Sequence, residues 1–219
     1  MPQIESIRWI SPFDEHLERV AARTPLLSSE RANFLSGAAE QIGQSLSERT
    51  EIGLNFICTH NSRRSHLGQA WAAIASHRFG LAERVSAYSG GTEATACNER
   101  IVRSLREIGL SIVSAAPEES NPLYWLQFAE LTAPIRLFSK RHDSSENPQN
   151  DFWAMMCCSD ADEKCPIISG AIGRVSLHYR DPKESDDSPQ EKATYAERRD
   201  EIGAEILYLF ENIARVVGI

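Results

Sequence analysis

Ile52-Gly53-Leu54-Asn55-Phe56-Ile57-Cys58-Thr59-His60-Asn61-Ser62-Arg63-Arg64-Ser65 begins as a short apolar run and ends as a polar loop. The run from Ile52 to Ile57 reads as a short buried strand. A helix is expected from about Ser65 to Phe79, with Leu67, Trp71, Ile74, Ala75 and Phe79 on one face and Gly80 as its stop. At a strand-to-helix junction successive backbone N–H groups can curl around an anion, and the helix N-terminus adds partial positive charge. Residues Thr59, His60, Asn61, Ser62, Arg63, Arg64 and Ser65 are therefore expected to hold a phosphate-like oxyanion.

The same alternation continues downstream. Val85 to Ser89 reads as the next strand, and Ile101, Val102, Leu105 and Ile108 mark an amphipathic helix ending at Gly109, which makes a βαβ unit. The stretch 112–150 breaks the rhythm and reads as an inserted hairpin built on Leu123 to Phe128 and Ile135 to Phe138. Phe152 to Cys158 is continuously apolar, Val175, Leu177 and Tyr179 alternate in a strand over Arg174 to Tyr179, and a long helix carrying Ile202, Ile206, Leu209, Phe210, Ile213 and Val217 closes the chain. Residues 1–50 read as helical: Ser11-Pro12 resembles a cap followed by a first-turn proline, leading into Phe13 to Ala22. Ser28 or Ser29 can cap a second helix, whose face carries Phe34, Leu35, Ala38, Ile42 and Leu46. The expected fold is α/β, a three-layer α/β/α domain over 51–219 with a short parallel sheet, an insertion at about 112–150 and an N-terminal helical extension over 1–50.

Length and charge narrow the function. A chain of 219 residues suits one well-buried domain with an appendage. No apolar run is long enough for a membrane helix, and Met1-Pro2-Gln3-Ile4-Glu5 lacks the basic and apolar regions of a secretory signal, so a soluble, cytoplasmic protein is expected. The net charge of −8 argues against sequence-independent binding of nucleic acid or anionic lipid, while leaving a local anion site possible. Cysteines stand at 58, 97, 157, 158 and 165, an odd number with no C-x2-C or H-x3-H spacing beside them. Neither a disulfide framework nor a metal site is expected, and no cofactor is implied.

Cys58 opens the loop, where positive surroundings favour thiolate over thiol and make a nucleophile at neutral pH. Arg64, six positions on, is expected to face it and clamp two oxygens of the anion in a fork, and Ser65 to donate a hydrogen bond to the sulfur. A bare C-x5-R spacing is weak evidence; its position between a buried strand and a helix strengthens it. Proton donation to a leaving oxygen falls to Asp181, whose Asp181-Pro182 turn follows a strand and can hang over the crevice at the sheet's C-terminal edge. Cys158, at the end of its strand, reaches the same edge. In a helix Cys158 and Cys165 would lie about 10 Å apart. A disulfide needs Cα atoms about 5.5 Å apart, so pairing demands a loop or local unfolding between them. Two thiols beside a nucleophilic thiolate permit a relay of disulfide exchange. Cys97, Cys157 and histidines 16, 66, 77, 142 and 178 read as structural or surface residues.

The loop, read as C-T-x-N-S-x-R-S, resembles the catalytic loop of low-molecular-weight protein tyrosine phosphatases and of the arsenate reductases that use their fold, over about residues 52–217. The resemblance implies Cys58 as nucleophile, Arg64 as oxyanion clamp, Asn61 as a loop-shaping residue, Ser65 as the thiolate's partner and Asp181 as acid. His60 and Arg63 depart from the pattern, which usually has Gly and often a second cysteine there. Cys158-Ser159-Asp160-Ala161-Asp162-Glu163-Lys164-Cys165-Pro166 resembles the redox segment of thioredoxin-coupled arsenate reductases, which implies Cys158 as the attacking thiol, Cys165 as the final one and thioredoxin as reductant. The expected function is arsenate reduction. Its alternatives are phosphomonoester hydrolysis through a cysteinyl-phosphate, and a non-catalytic oxyanion-binding or redox-sensing protein.

Overall fold

The computed structural model describes residues 7–165 and 167–219; Met1 to Glu5 and Pro166, on which part of the sequence reading rests, lie outside them. Helix α1 (Phe13–Ala21) and helix α2 (Ser29–Ser47) precede β1 (Ile52–Cys58), α3 (Arg64–Arg78) and β2 (Val85–Gly91). Next come α4 (Glu99–Arg106), β3 (Ser111–Val113), β4 (Tyr124–Gln127) and β5 (Ile135–Leu137). The chain ends with β6 (Phe152–Met156), α5 (Ser159–Lys164), β7 (Ala171–Ser176), a 3-10 turn (Pro182–Ser185) and α6 (Glu191–Val217).

Four strands form a parallel sheet in the order β2-β1-β6-β7, so β1 is central and its C-terminal end, Cys58, lies at the middle of one sheet edge. Every residue of β1 is buried, Asn55 included, as a central strand covered on both faces requires. Its side chains alternate between two covers. Phe56 meets α3, where Gly68 has no Cβ to keep the ring away. Asn55 and Gly53 face the other way, toward His142 and Pro148. Arg174 lies in register with Ala154 and Asn55 and binds Asp162, which places α5 on this second face with the segment 139–150. On the first face α6 packs over α3, and α1 and α2 pack against α6. The layers are thus helix, parallel sheet, and a thin cover of α5 and irregular chain.

Several local expectations are corrected. The cap of α1 is Pro12 rather than Ser11, because the Ile10 carbonyl takes the Asp14 amide (3.2 Å) and no side chain is needed. On α2, Leu35, Ala38, Ile42 and Leu46 are buried with Ala39 and Gly43, but Phe34 is 38% exposed and lies under the Arg31 guanidinium, 5.0 Å from its ring centre. Helix α3 is not amphipathic: Ser65 through Ser76 are all buried, since sheet and α6 enclose it from both sides. The inserted hairpin β4-β5 is antiparallel as read, but β3 joins it as a third strand. The last strand ends at Ser176, not Tyr179. The amides of Leu177 and His178 both converge on the Met156 carbonyl, and His178 takes a left-handed backbone with φ of 48°.

Packing at Gly68 gives a sign test. Helix propensity alone would make Gly68→Ala stabilising by about 1 kcal/mol. A Cβ there would stand 2.3 Å from the fully buried Phe56 ring. We expect a net loss of about 1–2 kcal/mol from overpacking, read as a lower urea midpoint; a higher midpoint would refute the tight contact.

Candidate active site

Past Cys58 the chain turns so that its carbonyls point away from the loop. The Cys58 carbonyl accepts from the Thr92 amide (3.1 Å), and that of Thr59 from the Glu93 amide (2.9 Å) and the Thr92 hydroxyl (3.1 Å). The His60 carbonyl accepts from the hydroxyls of Thr95 (3.1 Å) and Ser139 (2.9 Å), and that of Ser62 from the Asn98 amide (3.0 Å). By contrast, the amides of residues 60–65 meet no acceptor within the described residues, and no side chain caps α3. Amides without protein partners at a helix N-terminus are what an anion can occupy. Gly91 makes room for this turn: a Cβ there would come within 2.7 Å of the Asn61 amide and 2.8 Å of the Thr59 carbonyl.

Asn61 bends the loop. Its φ of 44° is a left-handed conformation that asparagine tolerates better than most residues. Its side-chain oxygen accepts from the Lys140 amide (2.9 Å), and its Nδ2 donates to Ser65 Oγ (2.9 Å). Because that bond uses Ser65 Oγ as an acceptor, the hydroxyl proton is left for Cys58 Sγ, 3.1 Å away. The order Asn61 to Ser65 to Cys58 is a polarised chain that presents a donor to the sulfur. Cys58 itself is only 4% exposed, at the floor of the loop.

Arg64 and Arg63 diverge. From Arg64, Nη1 donates to the Tyr179 carbonyl (2.8 Å) and Nη2 to Asp181 Oδ2 (2.6 Å), while its buried Nε has no partner among the described residues. Asp181 Oδ1 accepts the Lys183 amide (3.0 Å), which fixes the carboxyl at the head of the 3-10 turn with its side chain 32% exposed. Arg63 points away from the loop: its Nε donates to Tyr195 Oη (2.7 Å) and its Nη2 to Asp186 (2.6 Å). Only its amide remains for an anion. The imidazole of His60 is exposed.

Two further thiols approach this edge. Cys158 is buried with Sγ 3.7 Å from Thr59 Oγ1, against the anion loop. Cys165 is half-buried at the far end of α5, its Sγ 3.9 Å from His142 Nε2. Helix α5 is held down through Asp162, which accepts from Ser176 Oγ (2.5 Å), His178 Nε2 (2.6 Å) and Arg174, whose Nη1 also reaches the Cys165 carbonyl (2.5 Å). Burial pushes Asp162 up, but these three bonds hold its carboxyl below the usual range. Burial raises the other two thiols, Cys157 well above its ordinary value and Cys97 to about 12, so both stay protonated. Among the described residues no three His, Cys, Asp or Glu side chains gather as a metal site, and no helix is long and apolar enough to cross a membrane.

The sequence reading brought together Cys58, Asn61, Arg64, Ser65, Asp181 and Cys158, and the structure places all six at one sheet edge. It missed the outer support from Thr92, Thr95, Asn98 and Ser139. The usable signal was topological: loops after neighbouring parallel strands must meet at that edge, and Thr92 directly follows β2.

Fold and loop together define a class: an α/β protein with a buried thiol at the strand end that opens a loop whose amides lack protein partners among the described residues. No family model matches the chain. In sequence it is similar to an arsenate reductase of Bacillus licheniformis, 28% identical over 152 residues, covering 69% of this chain and 89% of that protein. It is also similar to an arsenate reductase of Bacillus subtilis (26% over 149 residues, 68% and 87%) and to arsenate reductase 2 of Staphylococcus saprophyticus (27% over 157 residues, 72% and 95%). Solved structures resembling it include a low-molecular-weight protein tyrosine phosphatase from Bacillus subtilis (TM-score 0.49, 15% identity, 75% and 98% covered). A mutant of YwlE from Bacillus subtilis is a second (TM-score 0.46, 15% identity, 74% and 97% covered).

Asn61→Ala removes both side-chain bonds and puts at φ 44° a residue that tolerates the left-handed region less well. Inorganic phosphate should bind about tenfold or more weakly, roughly 1.4 kcal/mol, measured by titration calorimetry. Asn61→Gly, relieved of the strain, should fall between wild type and Asn61→Ala; equal affinity in all three would show that Asn61 does not shape the cup.

Proposed function

We propose that this chain reduces arsenate to arsenite through Cys58, Cys158 and Cys165, with residues 51–219 carrying the chemistry. The observation that carries the proposal is the placement of a second thiol, Cys158, against Thr59 of the loop that holds Cys58. The arsenate reductase relatives support the same assignment. Arsenate would sit on the free amides of residues 60–65, with Arg64 turning its guanidinium from Asp181 to the anion. That exchange frees the Asp181 carboxylate to take up a proton from solvent and pass it to the departing oxygen, which leaves as water.

The electrons balance in three steps. Cys58 sulfur bonds to arsenic, and one As–O bond breaks as water leaves. Cys158 then attacks Cys58 sulfur; the S–As bond breaks with its pair remaining on arsenic, which departs as As(III). Cys165 attacks Cys158, freeing Cys58 as thiolate and leaving a Cys158–Cys165 disulfide. Seven residues of helix span about 10 Å. Since α5 separates the two cysteines, that last bond requires it to unwind and the Asp162 contacts to break. The half-buried Cys165 end is where a dithiol protein would reduce the product, and we assign thioredoxin to that step. Turnover through free thiols suits a reducing compartment, which favours the cytoplasm.

The test measures arsenate-dependent thioredoxin oxidation and p-nitrophenyl phosphate hydrolysis side by side. Cys58→Ser should abolish both. Cys158→Ser should abolish arsenate turnover while sparing hydrolysis, and Cys165→Ser should complete one turnover and stall as a Cys58–Cys158 disulfide. Robust hydrolysis with no arsenate turnover in the wild type would instead make the protein a phosphatase with Asp181 as its acid. Phosphate binding without either reaction would make it an oxyanion-binding protein.

A further inference from the structure

Arg31 lies in the first turn of α2, in the N-terminal helical pair, with its own amide capped by Ser28 Oγ (3.2 Å). Its guanidinium crosses to α6 and meets Glu205, only 5% exposed, in a fork: Nε to Oε1 at 2.8 Å and Nη2 to Oε2 at 2.6 Å. The same Nη2 also donates to the Leu177 carbonyl at 2.7 Å. The guanidinium further lies 5.7 Å from the centre of the buried Tyr179 ring. One side chain therefore grips a segment on both sides of His178.

That segment is the one the anion site depends on. Strand β7 is an edge strand and ends at Ser176, so the chain from Leu177 onward lacks a sheet partner on its outer side. Its amides are held from within, Leu177 and His178 on the Met156 carbonyl and Tyr179 on that of Cys157. Its carbonyls are held by arginines: Leu177 by Arg31 and Tyr179 by Arg64. Two residues further on stands Asp181, the second partner of Arg64.

From this we infer that Arg31 is a positioning residue for the anion site: by fixing Leu177 and the Tyr179 ring it sets the direction of the Tyr179 carbonyl, and through it the pose of Arg64. The N-terminal helical pair is then a working part of the site, supplying from outside the sheet a brace that the open edge of β7 cannot supply. Arginine is required because one planar fork must serve a carboxylate and a carbonyl together; lysine, as a point charge, can keep Glu205 company but not both partners. The inference rests on the reading of residues 58–65 as an oxyanion cup, and needs nothing from the redox relay.

The experiment compares wild type, Arg31→Lys and the double variant Arg31→Met/Glu205→Met. Removing both charges together leaves no orphaned ion in the core. Inorganic phosphate is the probe, by calorimetry, with thermal melting, the split between KM and kcat for arsenate, and the iodoacetamide alkylation rate of Cys58 measured alongside. The double variant should melt close to wild type, bind phosphate tenfold or more weakly and show a KM raised to match, while Cys58 alkylation is unchanged; Arg31→Lys should recover part of the loss. Unchanged phosphate affinity in the folded double variant overturns the inference. If the double variant fails to fold, Arg31→Lys decides alone, and wild-type affinity there is the overturning result. Wild type that binds no phosphate would instead sink the oxyanion cup itself.

Discussion

A turn can aim several amides at one point only if the carbonyls between them are satisfied elsewhere, and this constraint organises the molecule. The carbonyls of Cys58, Thr59, His60 and Ser62 are all taken by residues outside the loop, from the chain after β2, from the N-terminal boundary of α4 and from the end of the inserted sheet. The inserted strands β4 and β5 are thus not decoration, because they deliver Ser139 and Lys140 to the loop's outer wall. Once the carbonyls are spoken for, the amides have no protein partner among the described residues, and the helix N-terminus behind them adds partial positive charge.

Around this cup the connections are made by arginine. Arg31, Arg64 and Arg174 each bridge a carboxylate and a backbone carbonyl, and Arg63 bridges a carboxylate and a phenol. A fork with fixed geometry locks two partners relative to each other, which a flexible ammonium does not. The chain holds 19 arginines against 4 lysines. Four of them, Arg31, Arg63, Arg64 and Arg174, make such paired contacts between distant segments.

Much of the frame was legible because its signals were redundant. The run from Ile52 to Cys58 is apolar because both faces of a central parallel strand are covered, and Gly80 and Gly109 ended their helices with φ of 69° and 95°, as stop residues should. The failures share a cause: burial continued where hydrogen bonding changed. Val175, Leu177 and Tyr179 keep an inward alternation although the ladder ends at Ser176. Arg63 sits between true loop residues, and nothing local says that Asp186 and Tyr195, more than a hundred residues on, will draw it outward. The brace from Arg31 was invisible for the same reason, being a contact between distant segments with no periodicity.

The segment from Cys158 to Cys165 brings stability and chemistry into opposition. As a helix it is anchored by Asp162 to Arg174, Ser176 and His178 on and just past β7, which holds one cysteine at the anion loop and the other near the surface. In the relay proposed for arsenate, that arrangement would suit the opening step, when Cys158 waits beside Cys58, and would oppose the closing step, when the two ends must meet. A six-residue helix is well suited to such a role: nucleation is costly and few hydrogen bonds repay it, so α5 exists chiefly because β7 holds it. The Asp162 contacts hold α5 to β7 and the residue just past it, and the chain past the same strand gives Arg64 its Tyr179 carbonyl partner. The helix that follows Cys158 and the guanidinium of Arg64 are thus tied to one place, the end of β7.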